Sequence, residues 1–345
     1  MTKQIKVGSI AVGGGNSVAV QSMTTVHTYD VAETAAQINA LADAGCGIVR
    51  VAVPTERDAF AIGEIKRRTA VPIVADIHFN YRLALICAEQ GADKIRINPG
   101  NIGGKANVKA VADACASANI PIRVGVNSGS LERDILAKYN GVTPEALVES
   151  AERHIRLLED CGFYNICVSM KSADVADTVK ACRIFSGKYD YPLHLGITAA
   201  GAGIGAAIKS AVGIGALLLD GIGDTVRVSV TGNPLKEPEI AIGILEALGL
   251  RKPELDIISC PTCGRCAVDL ERVIAEVRGR IKSSPMRIAV MGCEVNGPGE
   301  AKEADYGIAC GPKLAILFAK GRTVSKVPMG QCAEALADLI LGDKK

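Results

Sequence analysis

The chain has 345 residues, 48% of them hydrophobic, with no Trp and only 3% aromatics, so it can bury a sizeable core that is aliphatic and alanine-rich. Its net charge of +2 excludes a nucleic-acid binder that works through bulk charge. No apolar run reaches the length of a membrane span once its Gly and charged residues are counted, and the N-terminus lacks a signal-peptide apolar region, so a cytoplasmic protein is expected.

Gly13-Gly14-Gly15 precedes any strong helix and is expected to turn a small leading hairpin. From Val18 to about Leu250 a short β-branched run, a longer helical stretch and a turn recur. The candidate strands are Val18–Ser22, Ile48–Val53, Ile73–Ile77, Lys94–Asn98, Ile122–Val126, Asn165–Met170, Leu193–Thr198 and Thr225–Val230. Amphipathic stretches such as Val31–Ala44, Glu56–Arg68, Pro144–Asp160 and Ala173–Phe185 lie between them. Gly45, Gly91 and Gly162 stand where helix C-caps belong. Eight alternations at this spacing predict a (β/α)8 TIM barrel over residues 1–250. A doubly wound sheet is the runner-up, and it would need fewer strands or an added domain.

The charged, Pro-containing Leu250-Arg251-Lys252-Pro253-Glu254 reads as a linker. Residues 251–345 read as a small α/β module: a helix over Asp269–Ile281, strands over Met286–Met291 and Asp305–Cys310, a hairpin of Ala315–Phe318 and Arg322–Val327, and a terminal helix over Gln331–Leu341.

Buried barrel strands are normally near-continuous apolar runs. Here Arg50, Arg96, Arg123 and Arg227 interrupt four of them. A buried guanidinium is costly unless paired, and its planar fork matches phosphate oxygens. Each Arg could pair with a barrel carboxylate such as Asp76 or Asp224, or several could face a strongly anionic ligand at the barrel mouth. Asp76, His78, Asn98, Asn127, Ser169, Lys171, Thr198 and Ser229 also fall at strand ends, where barrel chemistry lies. Gly201-Ala202-Gly203-Ile204-Gly205 does not match G-x-G-x-x-G and follows a late strand, so it reads as the loop after strand seven. Barrels often bind phosphate there, on a helix N-terminus.

Cys260-Pro261-Thr262-Cys263-Gly264-Arg265 is answered by Met291-Gly292-Cys293-Glu294-Val295-Asn296-Gly297-Pro298-Gly299-Glu300. Two thiols separated by two residues, with a third in a Gly/Pro-rich loop, suit zinc or an iron–sulfur cluster. Spacing does not choose a fourth ligand among Glu300, Cys266, Cys310 and Cys332. Cys46, Cys87, Cys115, Cys161, Cys167 and Cys182 sit in apolar settings and read as small core filler.

These two motifs resemble those of the 4-hydroxy-3-methylbut-2-enyl diphosphate synthase family, the iron–sulfur reductases of the methylerythritol phosphate route to isoprenoids, in the bacterial two-domain form. The resemblance runs over nearly the whole chain. It implies a [4Fe–4S] cluster held by Cys260, Cys263, Cys293 and the carboxylate of Glu300, whose exchangeability would serve the reaction. It implies substrate contacts from Arg50, Arg96, Asn98, Arg123, Asn127, Lys171, Arg227 and Ser229, beside Thr198. It implies reductive opening of 2-C-methyl-D-erythritol 2,4-cyclodiphosphate with electrons from ferredoxin or flavodoxin, in a homodimer. One departure stands out: Thr198-Ala199-Ala200-Gly201 replaces the family's usual Thr-Glu-Ala-Gly. Without that carboxylate, either another group such as Asp76 or His78 serves in proton transfer, or turnover is impaired. Two readings of other classes compete: a barrel transferase for a phosphorylated or pterin-like substrate with a structural zinc ribbon, and a non-enzymatic iron–sulfur sensor.

Overall fold

The computed structural model describes residues 1–293 and 301–342. The chain divides into two compact units, Met1–Arg251 and Lys252–Lys345. The first opens with an antiparallel hairpin, β1 (Ile5–Val7) and β2 (Ile10–Val12). Its turn is made at Gly8 and Ser9; the glycines at 13–15 come after β2 and carry the chain out of the hairpin, because all three take positive φ. The expected hairpin is present, and its turn lies earlier than the glycine run suggested.

Eight strands follow: β3 (Ala19–Met23), β4 (Ile48–Ala52), β5 (Ile73–Asp76), β6 (Lys94–Ile97), β7 (Ile122–Asn127), β8 (Ile166–Lys171), β9 (His194–Leu195) and β10 (Thr225–Val226). They pair in the order β8-β7-β6-β5-β4-β3-β10-β9, all parallel. A parallel bridge from Val168 to Leu193 joins the two ends and closes the barrel. The long helices lie where the amphipathic stretches put them, for example Glu56–Arg68 and Pro144–Glu159. Each begins with a Thr that caps a backbone N–H in the first turn. Strands β9 and β10 are shorter than the β-branched runs suggest, because the chain leaves the ladder at Gly196 and Arg227.

The period-two alternation of the strands separates two environments. Val49, Val51, Ile73, Ala75, Ile95, Ile97, Ile122, Val124, Ile166 and Val168 face the helices and form the large aliphatic core. The alternate positions face the barrel axis. At its lower end Ile48, Val74 and Cys167 pack with Ile5, Val7 and Val12, so the hairpin stops the floor. Thr2 Oγ1 donates to Asp224 Oδ1 at 2.7 Å, and the Leu193 N–H donates to Asp224 Oδ2 at 2.8 Å, which fixes the hairpin to the strand ends. Asp224 is thereby spent on the floor and is no partner for the strand arginines.

In the second unit a sheet runs β11 (Leu255–Ser259), β12 (Ser284–Met291), β13 (Tyr306–Cys310), β14 (Leu314–Ala319), β15 (Arg322–Pro328). The first two pairings are parallel and the last two antiparallel. Helices Leu270–Arg280 and Cys332–Gly342 cover one face through Val273, Val277, Leu336 and Ile340, packed on Ile288, Val290, Ile308 and Leu317. β11 goes beyond the sequence reading, which took the linker straight into the cysteine loop.

Among the described residues no helix is long and apolar enough to cross a membrane. The floor gives a stability test. Ile48 is fully buried beneath the hairpin, so Ile48→Ala is expected to lower stability by about 2–5 kcal/mol. Urea unfolding measures it, and an unchanged midpoint would show that the hairpin does not seat on this position.

Candidate active site

The upper layers of the barrel interior are polar. Arg50 leaves β4, Asp76 ends β5, Arg96 stands on β6, and Arg123 stands on β7. Lys171 ends β8 and Arg227 follows β10. These six line one cavity of about 180 Å³ together with His78, Asn127, Ser169, Thr198 and Ser229. Every strand-borne arginine of the sequence reading reaches it. Asn98 does not line it: its Oδ1 accepts from the Gly100 N–H at 3.1 Å and braces the loop after β6.

Two glycines make the packing possible. A Cβ on Gly125 would stand 2.5 Å from Arg96 Nε, so its absence lets the guanidinium lie across β7. A Cβ on Gly196 would meet Lys171 Nζ at 2.7 Å and the Arg227 carbonyl at 2.5 Å. The ammonium therefore rests against the backbone that leaves β9.

Asp76 organises the charges. Arg96 Nη1 donates to its Oδ1 at 3.1 Å, while Arg50 Nε and His78 Nε2 stand 3.7 and 3.6 Å from its Oδ2. Burial alone would raise the Asp76 pKa, but Arg50, the hydrogen bond with His78, Arg96 and Arg123 outweigh it and hold the carboxyl well below the usual range. A group held ionised so firmly is a counter-ion, which counts against the proton-transfer role expected of it. His78 is half exposed at the rim.

On the opposite wall Arg227 Nη2 and Nε donate to Glu237 Oε1 and Oε2 at 2.9 and 3.1 Å, and Ser22 donates to the same Oε2 at 2.7 Å. Sequence reasoning missed Glu237, which comes from the helix Lys236–Ala247 rather than from a strand. It also left Ser169 out of the ligand set, although its strand-end position was a signal.

Arg123 is nearly fully buried, and its Nε and Nη1 have no partner among the described residues. Burial, Arg50 and Arg96 all oppose its charge. Burial, with Arg123 and Arg227 next, likewise drives the Lys171 pKa well down. Five basic side chains, four of them arginines, therefore face two carboxylates, Asp76 and Glu237. A buried excess of this size fits an anion with several oxygens. A second cavity of about 290 Å³ shares Asp76 and His78 and is otherwise walled mainly by apolar groups such as Val53, Pro54, Phe79 and Leu83. Ala199 takes a left-handed φ of 50° beside Arg227, Ser229 and Glu237, in the loop that leads into helix Gly203–Leu219.

In the second unit the cysteines gather at one edge of the sheet. Cys260 follows β11 and Cys293 follows β12, and these strands are parallel neighbours with Ser259 beside Val290. The Gly292 N–H donates to Cys260 Sγ at 3.2 Å. Cys263 is exposed, and its pKa is lowered first by the Arg265 backbone N–H. Backbone N–H groups thus point at the sulfurs of Cys260 and Cys263, as ligand thiolates require. Among the described residues no three His, Cys, Asp or Glu side chains are gathered round one ion. Glu300 lies outside the described residues, as do 294–299. Cys266 instead donates to the Val268 carbonyl at 3.2 Å. Of the expected filler thiols, Cys46, Cys87, Cys115 and Cys182 are buried, and burial pushes each up to about 12.

A closed barrel with its polar cluster at the carboxyl ends of the strands puts the first unit among the (β/α)8-barrel enzymes. Solved structures agree on that fold alone. Dihydropteroate synthase from Stenotrophomonas maltophilia superposes with a TM-score of 0.52 at 15% identity, over 72% of this chain and 98% of that one. A type I 3-dehydroquinate dehydratase from Clostridium difficile gives 0.51 at 12%, again over 72% and 98%. The sequence is more specific. The GcpE TIM-barrel domain matches residues 2–242 and the GcpE protein C-terminal domain matches residues 256–341, so the chain belongs to the GcpE family. It is 54% identical to 4-hydroxy-3-methylbut-2-en-1-yl diphosphate synthase (flavodoxin) of Caldanaerobacter subterraneus, over 93% of this chain and 91% of the relative. It is 51% identical to the Geobacter sulfurreducens protein of the same name, over 99% of each.

The depressed Asp76 pKa sets a pH dependence. Its stabilisation is complete above the unfolded carboxyl value of about 4 and is lost as pH falls below it. Asp76→Asn is expected to lower stability at neutral pH by about 3–5 kcal/mol, since Arg50 and Arg96 lose their counter-ion. Its stability should also fall less steeply than the parent's on acidification below about pH 4. Urea midpoints across a pH series check both, and parallel acid profiles would remove Asp76 from its central role.

Proposed function

We infer that this chain catalyses the reaction named for its curated relatives, forming 4-hydroxy-3-methylbut-2-en-1-yl diphosphate in isoprenoid biosynthesis. It is an oxidoreductase of the methylerythritol phosphate route. Its substrate is 2-C-methyl-D-erythritol 2,4-cyclodiphosphate, whose ring is opened with two electrons and whose hydroxyl leaves as water. The observation that carries this reading is the cation excess in the barrel mouth of a GcpE-family chain.

Arg123, Lys171 and Arg227 are read as the diphosphate clamp, with Arg50, Arg96, Asn127, Thr198, Ser169 and Ser229 around it. The apolar cavity beside His78 suits the methyl-bearing carbon skeleton. Asp76 holds Arg50, Arg96 and His78 in place. His78, at the rim, is read as the group that carries a proton, because position 199 offers no carboxylate. Asn98 is read as a loop brace rather than a contact.

Cys260, Cys263 and Cys293 are read as ligands of a [4Fe–4S] cluster, with Glu300 the fourth by resemblance. When bound, such a cluster supplies electrons one at a time, delivered here by flavodoxin or ferredoxin; flavodoxin is the donor in the relatives' names. Ile204, Ile208, Val212 and Leu219 form an exposed apolar stripe on helix Gly203–Leu219, which supports a homodimer through that face. A cytoplasmic setting, where thiols stay reduced, suits a chain with twelve cysteines.

Anaerobic turnover of the cyclic diphosphate by the reconstituted chain is the direct test, and its absence would overturn the reading. Cys293→Ser is expected to abolish bound iron and sulfide while Cys266→Ser keeps them; purified protein with stoichiometric zinc and no iron would show a zinc site instead. Arg123→Ala should weaken binding of the cyclic diphosphate by about 2–5 kcal/mol, the range for removing one partner of a buried charged contact. Calorimetry reads this, and an unchanged affinity would move the ligand away from Arg123.

A further inference from the structure

Lys94 is a buried basic residue of the barrel that the functional reading does not use. It lies on β6 two residues before Arg96, so its side chain also faces the axis, one layer nearer the floor. It is fully buried, and its Nζ has no hydrogen-bond partner among the described residues. Its register neighbour on β5 is the apolar Val74, part of the hairpin-sealed floor. Titratable groups from four other strands act on it or feel its charge: Arg50 of β4, Arg123 of β7, Cys167 of β8 and His194 of β9. Arg123 Nε and Nη1, His194 Nε2 and both amide atoms of Gln21 are unpartnered in the same interior. These polar atoms serve neither the floor nor the helices.

We propose that Lys94 is a charge-adaptive residue beneath the diphosphate site, taking up a proton when the anionic substrate fills the cavity above it and releasing it when the anion leaves. The proposal rests on the functional reading above and deepens it. In the empty barrel burial, the largest effect, pushes the Lys94 pKa down to about 8; Cys167 opposes it, and Arg123 and then Arg50 add to the lowering. An anion on Arg123 offsets the positive field at Lys94 and so favours the ammonium. Each phosphate of the cyclic substrate is a diester-type group, already ionised throughout the neutral range, so a proton taken up on binding must come to the protein.

The sign follows from linkage. A group whose pKa rises on binding strengthens binding at low pH; that gain is complete below its free value of about 8 and is lost as pH rises from there through its higher bound value. The loss amounts to about tenfold in affinity for each unit by which the anion raises the pKa. Lys171 faces the same cations and adds its own slope, so the informative quantity is the difference between parent and variant.

The test titrates the full chain with the cyclic diphosphate at about pH 7 and about pH 9, in buffers of differing ionisation enthalpy. The parent and Lys94→Met are compared. The parent is expected to take up more protons than the variant near pH 9 and to lose affinity more steeply between the two values. Intact binding with identical proton uptake and slopes overturns the proposal alone. Absence of binding by the parent overturns the functional reading and the proposal with it. Should Lys94→Met fail to fold, lysine 13Cε resonances of the parent decide: a lysine titrating near 8 that moves upward with the cyclic diphosphate supports the proposal, and no such lysine refutes it.

Discussion

A barrel interior that holds Arg50, Arg96, Arg123, Lys171 and Arg227 must oppose its own charge, and Asp76 is where it chiefly does so. Like charges in a dry interior repel strongly, so without that carboxylate the upper strands would have reason to part. Glu237 does the same for Arg227 from outside the sheet, with Ser22 fixing its orientation. The two carboxylates leave a surplus of positive charge, and on that surplus the functional reading rests. The empty barrel tolerates it because the surrounding aliphatic shell is continuous.

The separation of environments follows from strand geometry alone. One face of each strand is aliphatic and holds the helices, while the other changes along the axis from apolar floor to charged mouth. A substitution on the outward face therefore acts on the aliphatic shell, and one on the inward face acts on the floor or on the charged mouth according to its height along the axis. Gly125 and Gly196 mark where the two demands meet, since each gives up a side chain so that a cationic head can lie against the backbone.

Much of this was legible in the sequence, for a physical reason. Arginine inside a β-branched run contradicts the apolar interior expected of a parallel barrel, so Arg50, Arg96, Arg123 and Arg227 announced themselves. The same signal was present at Lys94 and His194 and went unread, because a charge at the start of a short run looks like its boundary. Glu237 was not legible, since its partner Arg227 belongs to a different element and helix periodicity does not reveal where a carboxylate points. Asn98 shared the strand-end pattern of its neighbours, yet its amide turned back to its own loop. β11 was hidden by Asp256 and by the cysteines that follow it, whereas the hairpin turn was misplaced because three consecutive glycines outweighed a single Gly8.

The hairpin floor has a consequence for traffic. With Ile5, Val7 and Val12 stopping the lower end, the barrel interior among the described residues is closed at its floor and its charged cavity lies at the strand ends. Whatever enters must leave by the way it came. A spent molecule that keeps a diphosphate stays attractive to the same cations, so arrival and departure share one passage and one set of charges. In such a chamber the next arrival waits on the departure of the last.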